Sequence, residues 1–292
     1  MIVGSRGIEL KDPHELRQMR RAGLVVARTI AAVVAEVRPG VSTAELDGVA
    51  ADVLRCSGAT PSFLGYGALD GVGGFAGVTC LSVDDEVVHG VPGERVLAAG
   101  DLLSVDCGAV VEGWHGDSAV SVVVGVDDAS TSDPDLYALS ETTRHAMWHG
   151  IAAARLGGHV RDISAAVEAY VRAQPTPYGI VPDYVGHGIG SSMHQPPDVP
   201  NHVPRGLLAG LRGRGPRLVR GMALAVEPML TLGDPGTHVR DDGWTVVTDD
   251  GRPACHWEHT MTVTADGVWV LTAEDGGEEM LAALGAPFAP LH

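Results

Sequence analysis

The sequence predicts a single α+β domain with two related halves, and two observations carry this prediction. In each half, helix signals come before strand-like apolar runs. A short motif also recurs, because residues 100–106 (GDLLSVD) share glycine, leucine, valine and an acid at the same spacings with residues 221–227 (GMALAVE). Chance similarity between two buried strands is the alternative explanation. If the repeat is real, residues 12–130 and 131–273 form pseudo-twofold halves of one domain (1–292), and their acids meet at one site.

Capping signals predict four helices, over about residues 12–37, 42–58, 132–156 and 162–173. Asp12 is a typical N-cap in front of a proline, and Ser42 and Glu45 form a capping box. Asp162 is the predicted cap of the last and shorter helix. From residue 183 onward the sequence predicts mainly strands and loops.

Residues 100–125 predict a β-hairpin whose two apolar runs meet at a Glu112–Gly113 turn. If Val110 pairs with Gly113, then Asp106 falls directly opposite Asp117 on one face of the hairpin. Like charges in such a pair stand about 5 Å apart at Cβ and are destabilising. Two buried carboxylates in this position favour either a cation between them or a shared proton, and we expect the cation to be a metal ion.

Composition and charge limit the class of protein. The chain of 292 residues can bury a substantial core, and 45% of its residues are hydrophobic. A net charge of −17 argues against a general grip on nucleic acid, which needs clustered lysine and arginine. The sequence contains no run of about 18 apolar residues, so it predicts no membrane span. Its four cysteines include no CxxC pair, which suits a reducing cytoplasm. We therefore expect a cytoplasmic globular protein that binds neither membrane nor nucleic acid directly.

Three histidines and two further acids stand in settings that favour function: His89, His187, His194, Glu227 and Glu258. A glycine follows His89, and the glycines around His187 permit close approach to a ligand. Each histidine could instead be structural or exposed, and each glutamate could lie on an exposed edge strand. Carboxylates with an imidazole suit divalent Mn, Fe, Co or Zn, and two bridged ions form a hydrolytic arrangement.

Seven motifs follow one another along the chain: HG (89–90), VD (105–106), HGD (115–117), GHGIG…H (186–194), VEP (226–228), DGWTVVT (242–248) and WEHTMTVT (257–264). This ordered set resembles the type I methionine aminopeptidases, which are dinuclear metallopeptidases of the pita-bread fold. The resemblance covers about residues 12–273. It implies a curved central antiparallel sheet covered by helices. It also implies removal of the initiator methionine from nascent polypeptides before a small second residue, by a cytoplasmic monomer working in the vicinity of the ribosome.

The resemblance also implies a role for each candidate. Asp117 and Glu258 would bridge two divalent ions (Co, Mn, Fe or Zn), Asp106 would bind one ion, and His187 and Glu227 would complete the other. A bridging hydroxide would attack the scissile carbonyl, with Glu227 as proton shuttle. His89 and His194 would hydrogen-bond the scissile amide and its developing oxyanion.

The methionine pocket of the family maps onto six positions of this sequence. Tyr66, Cys80 and Trp244 match the residues usual in the family. Phe63, Phe75 and Met193 depart from them but stay apolar, so a pocket for a thioether is retained. The loops 65–74 and 204–217 are longer than is usual in the family.

Two other functions remain open from the sequence. A proline-specific aminopeptidase or prolidase of the same fold usually carries a separate N-terminal domain, for which 292 residues leave little room. A non-catalytic binding module of this fold would be expected to lose metal ligands, whereas all five are present.

Overall fold

The structure is a computed structural model that describes residues 2–3, 7–68, 73–125, 133–204 and 213–291. Its helices are α1 (Pro13–Glu36), α2 (Thr43–Cys56), α3 (Pro134–Ala153), α4 (Val160–Arg172) and α5 (Glu278–Ala283). The strands before α3 are β1 (Ile2–Val3), β2 (Glu9–Leu10), β3 (Thr60–Pro61), β4 (Thr79–Val83), β5 (Glu86–Val88), β6 (Leu102–Val111) and β7 (Trp114–Val123). The strands after α4 are β8 (Gly179–Ile180), β9 (Gly186–Gly188), β10 (Gln195–Val199), β11 (Ala223–Val226), β12 (Met229–Thr231), β13 (Thr237–Val239), β14 (Val246–Thr248), β15 (Ala254–His256), β16 (Glu258–Val263) and β17 (Val268–Val270).

One antiparallel sheet dominates the architecture. Its strand order is β10-β9-β11-β16-β7-β6-β3, with β17 added beside β16 and β4 beside β6. Strands β6 and β11, which belong to the recurring motif, lie on the two outer sides of the central pair β16–β7. Helix α1 packs on β6, β7 and α2, whereas α3 packs on α4. The α+β prediction is confirmed, and the pseudo-twofold relation of the halves stays a prediction.

Most of the helices begin at the capping residues that the sequence predicted. Asp12 accepts hydrogen bonds from the first turn of α1, Ser42 caps α2, and Asp133 caps α3. The cap predicted for α4 was wrong, because Asp162 lies inside its first turn and accepts from the backbone N–H of His159 at 2.9 Å. Among the described residues beyond 183, strands and loops predominate, apart from the short helix α5. Residues 69–72 and 205–212, in the two loops predicted to be long, lie outside the described residues.

The turn of the β6–β7 hairpin lies at Glu112–Gly113 as predicted, but the pairing of its strands differs from the prediction. Val111 pairs with Trp114, so the loop consists of Glu112 and Gly113 alone. Both turn residues have positive φ, 51° and 84°, which is the combination of a two-residue type I′ turn. The predicted pairing of Val110 with Gly113 was wrong because the type I′ geometry sets another register.

The observed register separates the two acids of the hairpin. Asp106 lies opposite Ala119, and Asp117 lies opposite Gly108. The predicted direct opposition of Asp106 and Asp117 was therefore wrong, and the two side chains are diagonal neighbours. The error is two residues, so both side chains still share one face of the sheet.

The two faces of β6 have different surroundings. Val105 and Cys107 are buried in an apolar cluster that includes residues of α1 and α2. Asp106 lies between them in sequence, so its side chain points to the opposite face. A second apolar cluster joins α3 and α4 to β11 and β16. Burial of each large aliphatic side chain contributes about 1.5–3 kcal/mol, and the two clusters hold the sheet firmly under the face that carries the acids.

Helix α1 comes unusually close to β7. A Cβ placed on Gly116 would lie only 2.7 Å from the backbone nitrogen of Gly23 in α1. Two glycines thus permit this contact, which is immediately next to Asp117 in sequence. Within the described residues, no helix combines the length and the apolar character needed to cross a bilayer.

Candidate metal centre and active site

A row of paired positions crosses four strands and brings acids from distant parts of the chain together. Cys80 pairs with Asp106, Asp106 with Ala119, and Ala119 with Glu258. Residues paired in an antiparallel ladder face the same side of the sheet, so these four side chains share one face. The strands of Asp106 and Glu258 are two spacings apart, about 10 Å. The small side chain of Ala119 leaves open space between their carboxyl groups.

Two more acids complete the cluster. Val226 pairs with His259, and Met229 pairs with His256, so the two ladders have one common register. Glu227 lies between them and is therefore opposite Glu258. Asp117 precedes Ala119 by two residues on β7 and therefore shares its face. The direct opposition that the sequence predicted for Asp106 and Asp117 is thus found for Glu227 and Glu258.

The four carboxyl groups are buried, and hydrogen bonds do not reach all of their oxygens. One oxygen of each is shielded from solvent and has no hydrogen-bond partner: Asp106 Oδ1, Asp117 Oδ1, Glu227 Oε1 and Glu258 Oε1. Within the part of the chain that the structure describes, the ionic partners nearest these groups are histidines and not lysines or arginines. Buried carboxylates without cationic partners are costly, so the cluster calls for a cation.

Burial governs the protonation of the four groups. It raises the pKa of Asp106 to about 7, against the opposing effect of hydrogen bonds with Asp117 and Cys80. Burial, followed by repulsion from neighbouring carboxylates, raises the pKa of Asp117, Glu227 and Glu258 well above the ordinary value. Without a cation, the raised pKa values favour the protonated carboxyl groups. A divalent cation reverses this preference for the protonated form, because it stabilises the ionised carboxylates.

His187 presents one ring nitrogen to these acids. Its Nδ1 lies 3.0 Å from the backbone oxygen of Gly188, which can only accept, so Nδ1 carries the proton and donates. The lone pair of Nε2 then faces Glu227 Oε1 at 3.4 Å and Asp117 Oδ2 at 4.0 Å. Burial lowers the pKa of His187 to about 3, so the ring is neutral, as a metal ligand must be.

The donor set fits divalent metal ions. Two groups of three ligand atoms lie within 4.8 Å of one another: Asp117, His187 and Glu258, and Glu227, His256 and Glu258. Glu258 belongs to both groups, as a bridging ligand would. The unpartnered buried oxygens supply free lone pairs, and mixed carboxylate and imidazole ligands suit Mn, Fe, Co or Zn.

His89 and His194 line the same cavity as the acids. The ring of His194 lies 4.3 Å from that of His187 between centroids, and its Nδ1 lies 2.7 Å from Tyr66 Oη. His89 has a φ of 60°, a strained left-handed conformation that is typical of functional sites. Burial lowers the pKa of both histidines, to about 4 for His89, so both rings are neutral near pH 7.

An apolar wall forms the other side of this cavity, whose volume is about 190 Å³. Five of the six predicted pocket residues line it, namely Phe63, Tyr66, Phe75, Cys80 and Trp244. The Phe75 ring meets Phe63 and Trp244 edge-on, with centroid distances of 6.4 and 5.5 Å. Met193 is not among the described lining residues and is buried in the same apolar cluster as Phe63 and Phe75.

One residue of the cavity, His256, was missed by the sequence reasoning. It is buried, lines the cavity, and has an Nε2 atom without a hydrogen-bond partner. A signal was present in the segment CHWEH, because His256 and Glu258 are two residues apart and so face the same side of an extended chain.

Comparisons with known proteins agree with this geometry. Residues 17–265 match the model of metallopeptidase family M24. Methionine aminopeptidase 1 of Mycobacterium tuberculosis is 48% identical over 274 residues, which cover 92% of this chain and 96% of that protein. The crystal structure of methionine aminopeptidase from Thermotoga maritima has a TM-score of 0.82 and 35% identity, and covers 91% of this chain and 100% of that one.

A more distant likeness concerns the first alternative function. Prolidase from Pyrococcus furiosus has a TM-score of 0.68 but only 18% identity, and the match covers 90% of this chain and 65% of that one. This likeness shows a shared fold and does not favour prolidase activity. The family match and the much closer relatives decide the matter: the chain belongs to metallopeptidase family M24, and its activity is the metal-dependent removal of an N-terminal methionine.

Proposed function

We propose that Asp106, Asp117, His187, Glu227 and Glu258 hold two divalent ions beside a pocket for the N-terminal methionine. Asp117 and Glu258 would be ligands of both ions, Asp106 would bind one, and His187 and Glu227 would complete the other. The observation that carries the proposal is one cavity that joins four buried, incompletely partnered carboxyl groups to an aromatic wall.

The chemistry divides between the ions and the side chains. The ions, when bound, supply a Lewis acid that polarises the scissile carbonyl and lowers the pKa of water. His89 and His194 donate hydrogen bonds to the scissile amide and to the oxygen on which charge develops; loss of such a donor costs about 100- to 1000-fold in rate. Glu227 accepts a proton and passes it to the leaving amine, for which its unpartnered Oε1 is available.

The apolar wall selects the side chain of the first residue. Phe63, Phe75 and Trp244 offer ring edges and faces to a thioether, and sulfur–aromatic contacts contribute about 0.3–1.5 kcal/mol each. Cys80 supplies a soft, buried floor to the pocket, next to Asp106 in the row. Asp242 accepts hydrogen bonds from the N–H groups of Trp244 and Thr245, each at 2.8 Å, which fixes the turn that carries the indole.

The wider setting of the reaction is part of the proposal. The substrates are the N-termini of nascent polypeptides with a small second residue, and the enzyme is a cytoplasmic monomer in the vicinity of the ribosome. The resemblance of the seven motifs to type I methionine aminopeptidases supports this setting.

A peptide assay tests the specificity. Metal-free protein is reloaded separately with Co²⁺, Mn²⁺, Fe²⁺ or Zn²⁺ and given Met-Ala-Ser, Met-Ile-Ser and an Xaa-Pro tripeptide. We expect methionine release from Met-Ala-Ser and little from the other two. Cleavage of the Xaa-Pro peptide alone would favour a prolidase, and failure to rebind any of the four metals would favour a binding module.

A pair of variants tests the division of roles. His194→Ala should lower kcat by about 100- to 1000-fold while the bound metal stays at the wild-type level. Glu227→Gln should lower both activity and metal content. Loss of metal in His194→Ala, or full metal content in Glu227→Gln, would contradict the assignment.

A further inference from the structure

His256 lies beside the clustered acids, and its Nε2 atom has no hydrogen-bond partner. Its side chain is 3% exposed. It lies two residues before Glu258 on an extended segment and opposite Met229 on β12. The imidazole therefore projects from the same face as Glu258 and, across the strand pair, as Glu227.

The distances around Nε2 do not match hydrogen bonds. Nε2 lies 3.8 Å from Glu227 Oε2 and 3.9 Å from Glu258 Oε2. Hydrogen bonds between nitrogen and oxygen span about 2.7–3.2 Å. Two ligand atoms that share an ion through bonds of about 2.1 Å are instead about 3.0–4.2 Å apart, for bond angles between 90° and 180°. Both distances fall in this second range.

We propose that His256 is an additional ligand, through Nε2, of the ion that Glu227 and Glu258 would hold. This inference rests on the proposed metal centre. It makes the two ion sites chemically unequal: one has two imidazoles, and the other, around Asp106, has carboxylates. Imidazole ligands favour Zn²⁺, Co²⁺ and Fe²⁺, whereas oxygen ligands suit Mn²⁺, so His256 biases its site toward the borderline ions.

The test counts imidazoles on the metal. Metal-free protein receives one equivalent of Co²⁺, and X-ray absorption at the cobalt edge gives the number of histidine ligands from the scattering of the ring atoms. We expect one imidazole fewer in His256→Gln than in the wild type. The matched control is His259→Gln, on the next strand β16 and on the face opposite to Glu258, where Nδ1 lies 2.8 Å from Thr272 Oγ1; its count should equal that of the wild type.

Calorimetric titration of the same proteins with Co²⁺ adds the affinity. Loss of a ligand should weaken the first binding event at least as much as loss of a supporting partner, about 10- to 100-fold, and should weaken Mn²⁺ binding less. An equal number of imidazoles in wild type and His256→Gln would overturn the inference. If His256→Gln does not fold, a wild-type count of a single imidazole would overturn it as well.

A third variant separates this inference from the proposed function. If Glu227→Gln weakens Co²⁺ binding while His256→Gln leaves the imidazole count unchanged, only the role of His256 is wrong. If neither variant changes Co²⁺ binding, the proposed metal centre itself is wrong.

Discussion

The two strand pairs that supply the acids differ in geometry and in chemistry. In the β6–β7 hairpin, Asp106 and Asp117 are diagonal neighbours, and Cys80 lies beside Asp106. Glu227 follows β11, and the common register of the two flanking ladders places it opposite Glu258. Two imidazoles approach Glu227, His187 at 3.4 Å and His256 at 3.8 Å.

A recurring motif therefore does not give equal halves of a site. Asp106 and Glu227 occupy matching positions of the motif. The type I′ turn of one hairpin offsets its second acid by two residues, whereas the other pair stays in register. The result is a carboxylate-rich side around Asp106 and an imidazole-bearing side around Glu227, with Glu258 between them.

Removal of the Glu258 side chain should break the connection between the two sides. Glu258→Ala removes the side chain shared by both groups of ligand atoms. The metal contributes several kcal/mol of transition-state stabilisation, and about 1.4 kcal/mol corresponds to tenfold, so hydrolysis of Met-Ala-Ser should fall at least about a thousandfold. The matched control is Glu94→Ala, at an exposed glutamate, which should keep wild-type activity. Activity within tenfold of wild type in a folded Glu258→Ala protein would refute the site.

The second prediction concerns the carboxylate-rich side without metal. The pKa of Asp106 is about 7 in the folded protein and 3.8 in an exposed aspartate. Between about pH 4 and pH 7, the folded state therefore keeps a proton that the unfolded chain has lost. The contribution of protonated Asp106 to the free energy of unfolding is full below pH 4 and is lost as the pH rises through 7. Asp106→Asn removes the titrating group.

In urea titrations of the metal-free proteins, we therefore expect Asp106→Asn to become more stable relative to wild type as the pH rises from 4 to 8. The measured quantity is the difference between their free energies of unfolding. Because Asp117, Glu227 and Glu258 are present in both proteins, the difference isolates the effect of the Asp106 charge on the cluster. Saturating Co²⁺ should reverse the order, since the ion stabilises ionised Asp106. A difference that does not change with pH would show that burial does not raise the pKa of Asp106.

The third prediction concerns the type I′ turn, which sets the register of the β6–β7 hairpin and makes Asp106 and Asp117 diagonal neighbours. Gly113 has a φ of 84°, where a Cβ costs roughly 1–2 kcal/mol, so Gly113→Ala should lower the free energy of unfolding by that amount. Gly48 lies inside helix α2, and the position that a Cβ would take there has open space around it, so Gly48→Ala should stabilise by about 0.5–1 kcal/mol. Equal effects of the two substitutions in urea unfolding would argue against the type I′ turn.

The smallest effect concerns the imidazole-bearing side. Tyr66 Oη lies 2.7 Å from His194 Nδ1 and orients the ring next to His187. Tyr66→Phe removes a hydrogen bond with a net value of about 0.5–1.5 kcal/mol, so kcat should fall about twofold to tenfold with metal content unchanged. Tyr137→Phe, at an exposed tyrosine of α3, is the control and should match wild type. A Tyr66→Phe enzyme with unchanged kcat would mean that the hydroxyl does not position His194.

The sequence predicted the parts of the site that follow from local rules. Capping residues located the helices, and alternation along β6 placed Asp106 and Cys107 on opposite faces. The register of the hairpin was missed because it depends on the φ angles of Glu112 and Gly113, which the turn signal alone does not fix. His256 was missed because its significance depends on contacts with Glu227, which lies on another strand. Pairing between strands distant in sequence decides such contacts, and local patterns do not contain it.

We propose that one metal centre spans both strand pairs. Calorimetric titration of metal-free protein with Co²⁺ tests it most directly, with wild type, Asp106→Asn and Glu258→Gln compared at one pH. We expect two bound ions in the wild type, one in Asp106→Asn, and greatly weakened binding of both ions in Glu258→Gln. Two ions bound with equal affinity in all three proteins would contradict it.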